Sequence, residues 1–71
     1  AIMKEYAEYL RKARDEAELT QVDVAKILGV SQYAVCKWER GEGSAPTIAR
    51  LIQLADLYDT SIDALVGRTK T

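Results

Sequence analysis

Apolar residues recur along this chain at the three- and four-residue intervals that place them on one face of a helix. The longest such stripe opens the chain and covers about four helical turns, with charged residues elsewhere around the helix. No segment alternates strictly between apolar and polar residues across a β-branched run, so the pattern predicts no strand. The stripe comprises Ile2, Tyr6, Tyr9, Leu10, Ala13 and Ala17.

Capping residues divide the remaining chain into four further helices. A Ser or Thr stands before each one, where its side-chain oxygen can accept a hydrogen bond from an otherwise unpaired backbone N–H. Glycine, which adopts the left-handed conformation without steric cost, follows three of them. Asp23, three residues after the first cap, completes the pattern of a capping box. The predicted caps are Thr20, Ser31, Thr47 and Ser61, and the predicted stops are Gly29, Gly41 and Gly67.

The junction between the second and third helices decides the architecture. Both helices are short, and only Gly29, Val30 and Ser31 separate them. So tight a turn leaves no room for antiparallel packing, and the two helices must cross steeply, which is helix-turn-helix geometry. The sequence therefore predicts an all-α, compact five-helix bundle over residues 1–67, with the helix-turn-helix at about 20–40 and a frayed tail at 68–71. The predicted inner faces are Val24, Ala25 and Leu28 of the second helix and Ile48, Leu51, Ile52, Ala55 and Tyr58 of the fourth.

Composition narrows the chemistry that this chain can perform. The 71 residues suffice for one domain, and they include no His and a single Cys, Cys36. Triads built on His, zinc sites built on paired Cys and internal disulfides are therefore excluded, and we expect neither a metal nor a cofactor. No apolar run approaches the roughly 18 residues of a membrane span, and an unpaired Cys suits a reducing compartment. We therefore expect a cytoplasmic protein without a membrane partner.

Overall charge does not indicate a nucleic-acid partner. Ten Lys and Arg residues stand against eleven Asp and Glu residues, which gives a net charge of −1. Non-specific binding to DNA rests on neutralising phosphates, for which this balance offers little. The positions of the charges therefore matter more than their sum.

Three stretches of the sequence are similar to those of a known family. The stretch TQVDVAKILGVSQYAVCKWERG, over 20–41, resembles the helix-turn-helix of the lambdoid phage repressors (the Cro/cI-type, or XRE, family). The similarity continues into APTIARLIQLADLYDTSIDAL, over 45–65, and reaches back to LRKARDEAELTQ, over 10–21. This resemblance implies a sequence-specific transcriptional regulator, a repressor, that binds a double-stranded DNA operator as a homodimer. Its recognition helix, over about 32–40, would enter the major groove.

The resemblance also implies roles for individual side chains. Gln32, Tyr33 and Lys37 match positions that reach base edges: Gln can bond adenine, Lys can donate to guanine, and Tyr can touch a thymine methyl group. An ordinary solvated face is the alternative. The resemblance also assigns four residues to contacts with DNA phosphates. Simpler roles are the alternatives: a favourable first residue of a helix, a cation at a helix C-terminus, or an ordinary loop position. The four residues are Gln21, Arg40, Ser44 and Lys26.

Two further groups of residues are assigned by the same resemblance. Arg14 and Glu39 match a partly buried ion pair that joins the first helix to the end of the third, and the pair would be structural. The self-association surface would lie on the fifth helix and the turn before it, although part of it could equally be buried core. That surface comprises Tyr58, Thr60, Ile62 and Ala64.

The chain departs from the family pattern at three positions. Glu18 stands where the family commonly has Gly, and a left-handed conformation there would cost about 1–2 kcal/mol. Asp59 raises the same question more mildly, because Asp tolerates that conformation. Cys36 replaces a small hydroxylic residue on the recognition helix, where an inert side chain is a simpler interpretation than a redox switch.

Two other kinds of function compete with a DNA-binding regulator. The same fold serves antitoxins and co-activators, whose main partner is another protein, and a C-terminal effector domain could belong to a longer chain. An enzyme would have to work with carboxylates alone, and five compact helices without His offer no evident cleft.

Overall fold

The computed structural model describes residues 5–67, and within that range it contains five helices and no strand. The all-α, five-helix prediction is therefore confirmed. Ile2 and the tail predicted at 68–71 lie outside the described residues. Over the same range, no helix has the length and apolar character needed to cross a bilayer. The helices are α1 (Tyr6–Glu16), α2 (Gln21–Leu28), α3 (Gln32–Arg40), α4 (Ile48–Tyr58) and α5 (Ile62–Val66).

Side-chain caps begin four of the helices as predicted. The Thr20 hydroxyl accepts a hydrogen bond from the Asp23 backbone N–H at 3.1 Å, and the Asp23 carboxylate accepts one from the Thr20 N–H at 2.9 Å. This capping box lowers the pKa of Asp23, chiefly through the bond from the Thr20 backbone. Ser31, Thr47 and Ser61 each accept a bond from the backbone N–H three residues on.

One apolar core joins all five helices. The inner face predicted for α2 is confirmed, because Val24, Ala25 and Leu28 are buried. Val30 and Trp38 are partly buried and pack against the core from the turn and from α3. The rest of the core comes from each of the other helices, in the form of Leu10, Val35, Leu54, Ala55, Tyr58 and Leu65.

The inner face predicted for α4 is wrong at two positions. Ile48 is 70% exposed and Ile52 is also exposed, whereas Leu54, which the prediction omitted, is fully buried. The only polar residues that interrupt α4 are Arg50, Gln53 and Asp56, and their three-residue spacing leaves a broad apolar stripe. Periodicity alone does not determine which part of so broad a stripe meets the core.

The turn after α1 has the left-handed conformation that the absence of glycine at position 18 made questionable. Glu18 has φ 58°, in the left-handed region, and its N–H donates to the Asp15 carbonyl at 3.0 Å. The Leu19 N–H then donates to the Arg14 carbonyl at 3.3 Å, so α1 closes in the manner that usually requires glycine. Asp59 ends α4 with φ 54°. The turn after α1 is therefore strained, rather than rearranged to avoid the missing glycine.

We expect Glu18→Gly to raise the free energy of unfolding by about 1 kcal/mol, because it relieves the left-handed penalty at φ 58°. Asp59→Gly is the matched control, and it should give a smaller gain since Asp tolerates that conformation better than Glu. Urea denaturation followed by circular dichroism measures both. A Glu18→Gly variant no more stable than wild type would show that the turn stores no strain.

Candidate nucleic-acid interface

The turn between α2 and α3 fixes the two helices against each other. Gly29 ends α2 in the left-handed conformation at φ 74°. The backbone N–H groups of Gly29 and Val30 both donate to the Ala25 carbonyl, at 2.9 and 3.0 Å. Ser31 then caps α3 at once. Each residue of the turn thus makes a hydrogen bond or a core contact, so α3 is held on a rigid support.

Helix α3 divides into a buried side and a solvent side. Val35 and Glu39 are buried, and Trp38 is partly buried beside them. At 100° per residue, the residues of the solvent side fall within an arc of about 140°. We call this surface the outer face of α3; it comprises Gln32, Tyr33, Cys36, Lys37 and Arg40, of which Cys36 and Lys37 are half-buried and the others exposed.

A bidentate ion pair connects α1 to the end of α3. The Arg14 Nε donates to Glu39 Oε2 at 2.7 Å, and its Nη2 donates to Glu39 Oε1 at 2.9 Å. The remaining Nη1 donates to the Leu19 carbonyl at 2.9 Å. The hydrogen bond with Glu39 raises the pKa of the Arg14 guanidinium, against the opposing effect of burial. Only 14% of the Arg14 side chain and 3% of the Glu39 side chain are exposed.

Gln21 belongs to this buried network, which sequence reasoning missed. Its Nε2 donates to Glu39 Oε1 at 3.1 Å, across 18 positions of the chain. No periodicity connects residues so far apart, and the family resemblance pointed Gln21 only towards a phosphate. Because an amide carries two N–H groups, a second donor remains, and the phosphate role of Gln21 stays a prediction.

The cations of the outer face differ in their surroundings. The Lys37 Nζ lies 5.3 Å from the centre of the Tyr33 ring, a contact that their four-residue spacing could have suggested. The Arg40 Nη2 lies 3.5 Å from Glu42 Oε2, and both side chains are more than half exposed. This carboxylate partly offsets the positive charge at the C-terminal end of the face.

The other predicted contacts are less closely connected with this face. Ser44 is exposed in the loop between α3 and α4, and Lys26 is exposed on the side of α2 that points away from the core. Among residues 5–67, neither side chain makes a hydrogen bond or ion pair with the outer face of α3. Within this range no hydrogen bond or ion pair therefore links Lys26 or Ser44 to Gln32, Tyr33 or Lys37, and their phosphate roles stay predictions.

The predicted self-association surface needs one correction. Tyr58 is only 8% exposed and belongs to the core, because its place on the inner side of α4 turns it towards α1 and α3. Thr60, Ile62 and Ala64 remain half-buried at the surface. Thr60 and Ala64 line an open groove between α1 and α5, opposite Tyr9.

Comparison with known families connects this geometry to a class of proteins. A family model described as helix-turn-helix matches residues 10–65, from the middle of α1 to the end of α5. The chain belongs to the helix-turn-helix family. The matched domain therefore includes α2, the turn and α3. The outer face of α3 is the exposed side of the second helix of the helix-turn-helix.

Individual helix-turn-helix relatives place the domain in different contexts. The chain is 39% identical over 64 residues to the cryptic phage CTXphi transcriptional repressor RstR of Vibrio cholerae, covering 90% of this chain and 56% of that protein. It is 35% identical over 60 residues to an (S)-2-hydroxypropylphosphonic acid epoxidase of Streptomyces wedmorensis, covering 84% of this chain and 30% of the enzyme. The crystal structure of apo-HppE matches with a TM-score of 0.82 and 32% identity, over 93% of this chain and 36% of that one. The chain thus spans between about a third and just over half of the length of these proteins.

Proposed function

We propose that this domain is a sequence-specific DNA-binding transcriptional regulator, a repressor, that places α3 in the major groove. The observation that carries the proposal is the outer face of α3: a polar, solvent-facing helix surface, mounted on a rigid turn in a domain of the helix-turn-helix family. An α-helix fits the width of the major groove. The similarity to RstR, which is named a transcriptional repressor, supports the same function.

Three side chains would read base edges. Gln32 is exposed, and among residues 5–67 its amide makes no hydrogen bond, so it is free to bond adenine bidentately. Lys37 would donate to guanine, and Tyr33, 71% exposed, would reach a thymine methyl group. Arg40, Ser44, Lys26 and the second N–H of Gln21 would bind phosphates.

The weak positive charge of the proposed interface favours a dimer. Glu42 offsets Arg40, and the domain as a whole carries a net charge of −1, so a single copy would gain little from phosphate neutralisation. Two copies related by a two-fold axis would bind half-sites about 34 Å apart. Thr60, Ile62 and Ala64 would supply the contact between them, and such a regulator would act in the cytoplasm.

The epoxidase relative raises the question of an enzyme, and the match itself argues against that function for this domain. The similarity covers 30% of the enzyme, and it falls on a helix-turn-helix domain. We therefore propose a regulator without catalytic activity of its own.

The second candidate function is binding to another protein, as in antitoxins or co-activators.

The proposal is tested by selecting a random duplex library on the purified 71-residue chain at low and moderate salt. We expect enrichment of a pseudo-palindrome whose half-sites lie about 10 bp apart. Gln32→Ala should then weaken binding to the selected duplex by about 5- to 100-fold. The matched control is Gln53→Ala, which removes an exposed amide from α4.

The alternatives predict different results in the same selection. Salt-sensitive binding without enrichment would indicate a non-specific DNA binder. A folded protein that binds no duplex even at low salt would contradict the regulator and favour the protein partner. Equal losses for the two glutamine variants would show that Gln32 does not read a base.

A further inference from the structure

The side chain of Lys37 has closer neighbours than that of an outward-facing lysine usually does. Its Nζ lies 5.3 Å from the centre of the Tyr33 ring, within the range of a cation–π contact. The residue is half-buried, although it belongs to the solvent side of α3. The aromatic ring therefore holds the ammonium group close to the helix surface.

Gly43 lies close to the same end of the Lys37 side chain. A Cβ atom added to Gly43 would lie 2.8 Å from both Cε and Nζ of Lys37, closer than non-bonded atoms approach. Any side chain at this position would thus displace the end of Lys37. We call the position of the Lys37 ammonium group, close to both the Tyr33 ring and the Gly43 backbone, the lysine slot.

The slot leaves the donors of Lys37 available. Among residues 5–67 no carboxylate lies within 4.0 Å of its ammonium group, whereas Arg40 on the same face is paired with Glu42. A cation–π contact engages the charge of the ammonium without requiring its N–H groups to be consumed by an acceptor. Lys37 therefore lies beside the aromatic ring with its donors still available.

We propose that Tyr33 and Gly43 are positioning residues that make Lys37 specific for guanine. A mobile lysine binds phosphates as a point charge, without regard to sequence. A lysine held at a fixed depth on α3 instead meets the major-groove edge, where guanine alone presents two adjacent acceptors, N7 and O6. This inference rests on the proposed DNA binding, and it adds the residues that enforce the choice of guanine.

The slot can be tested first in the free protein, where DNA has no part. The Tyr33 ring should shift the NMR signals of the Lys37 Cε methylene upfield. We expect Tyr33→Phe to keep that shift, and Tyr33→Leu and Gly43→Ala to remove or reduce it. Gly29→Ala is the control for backbone strain, because Gly29 has φ 74° but no atom within 4 Å of an added Cβ. Unchanged Lys37 signals in Tyr33→Leu would overturn the slot.

Guanine reading is tested on the selected duplex with 7-deazaguanine, which lacks N7, at each guanine in turn. We expect one substitution per half-site to weaken wild-type binding about tenfold. The same substitution should change binding less than about twofold in Gly43→Ala and Tyr33→Leu, which keep Lys37 but not its position. Full discrimination in Gly43→Ala would overturn the positioning role. Absence of any DNA binding would overturn the proposed function and the guanine assignment, while the NMR result would still decide whether the slot exists.

Discussion

Replacing Arg14 with Met is expected to lower the free energy of unfolding by about 3–5 kcal/mol. The change leaves the Glu39 carboxylate, whose side chain is 3% exposed, without its bidentate partner, and only the Gln21 amide still donates to it. It also leaves the Leu19 carbonyl without the bond from Nη1. Met keeps most of the apolar stem of Arg, so the loss reports the charge and its hydrogen bonds rather than the packing. Urea denaturation at neutral pH measures it.

Arg40→Met is the matched control for this prediction. Arg40 also faces a carboxylate, but its side chain is 63% exposed, that of Glu42 is 52% exposed, and the atoms are 3.5 Å apart. An exposed pair of this kind contributes about 0–1 kcal/mol, so Arg40→Met should unfold almost as wild type does. It should nevertheless weaken DNA binding, since it removes a proposed phosphate contact.

The double variant Arg14→Met/Glu39→Met separates a lost attraction from a stranded charge. With both charges removed, no carboxylate is left buried alone, and we expect more than half of the Arg14→Met loss to be recovered. The double variant also keeps the prediction testable if Arg14→Met does not fold. An Arg14→Met variant within about 0.5 kcal/mol of wild type would contradict the structural role of the pair.

The features of the fold that depend only on residues close together in the sequence were predictable. The caps at Thr20 and Ser31 and the left-handed Gly29 are local, because each is decided by hydrogen bonds within a few residues. The register of α4 was not predictable, because its apolar stripe is broader than the part that packs. Ile48 and Ile52 could be recognised as exposed only once the other helices were in place.

The candidate site shows the same division. Spacing along α3 was enough to place Gln32, Tyr33 and Lys37 on one face, because a single helix determines that relation. The hydrogen bond from Gln21 to Glu39 and the closeness of Gly43 to Lys37 depend on how separate segments pack. The sequence thus indicates which side chains are presented, and the three-dimensional structure determines how firmly each is held.

The buried phenol of Tyr58 should make the domain sensitive to alkaline pH. Burial raises the pKa of Tyr58 from 10.0 to about 12; the nearby Glu39 carboxylate adds to the increase and Arg14 opposes it. The folded state therefore binds this proton more tightly than the unfolded state does. The contribution of this proton to the free energy of unfolding is fully present below pH 10, decreases as the pH rises from 10, and is lost by about pH 12.

At 1.36 kcal/mol for each pH unit, the loss attributable to Tyr58 is at most about 2–3 kcal/mol. Urea denaturation of wild type and Tyr58→Phe at intervals from pH 9 to about pH 12 measures it, since Phe has no proton to lose. The free energy of unfolding should fall more steeply for wild type, and the two curves should converge or cross at high pH. Tyr33→Phe is the control, because it removes a phenol that is 71% exposed, and its curve should follow that of wild type.

Parallel curves for wild type and Tyr58→Phe would contradict the burial of the neutral phenol. The Arg14–Glu39 pair should not account for the fall, because the hydrogen bond to Glu39 raises the pKa of Arg14 and keeps the guanidinium charged over this range.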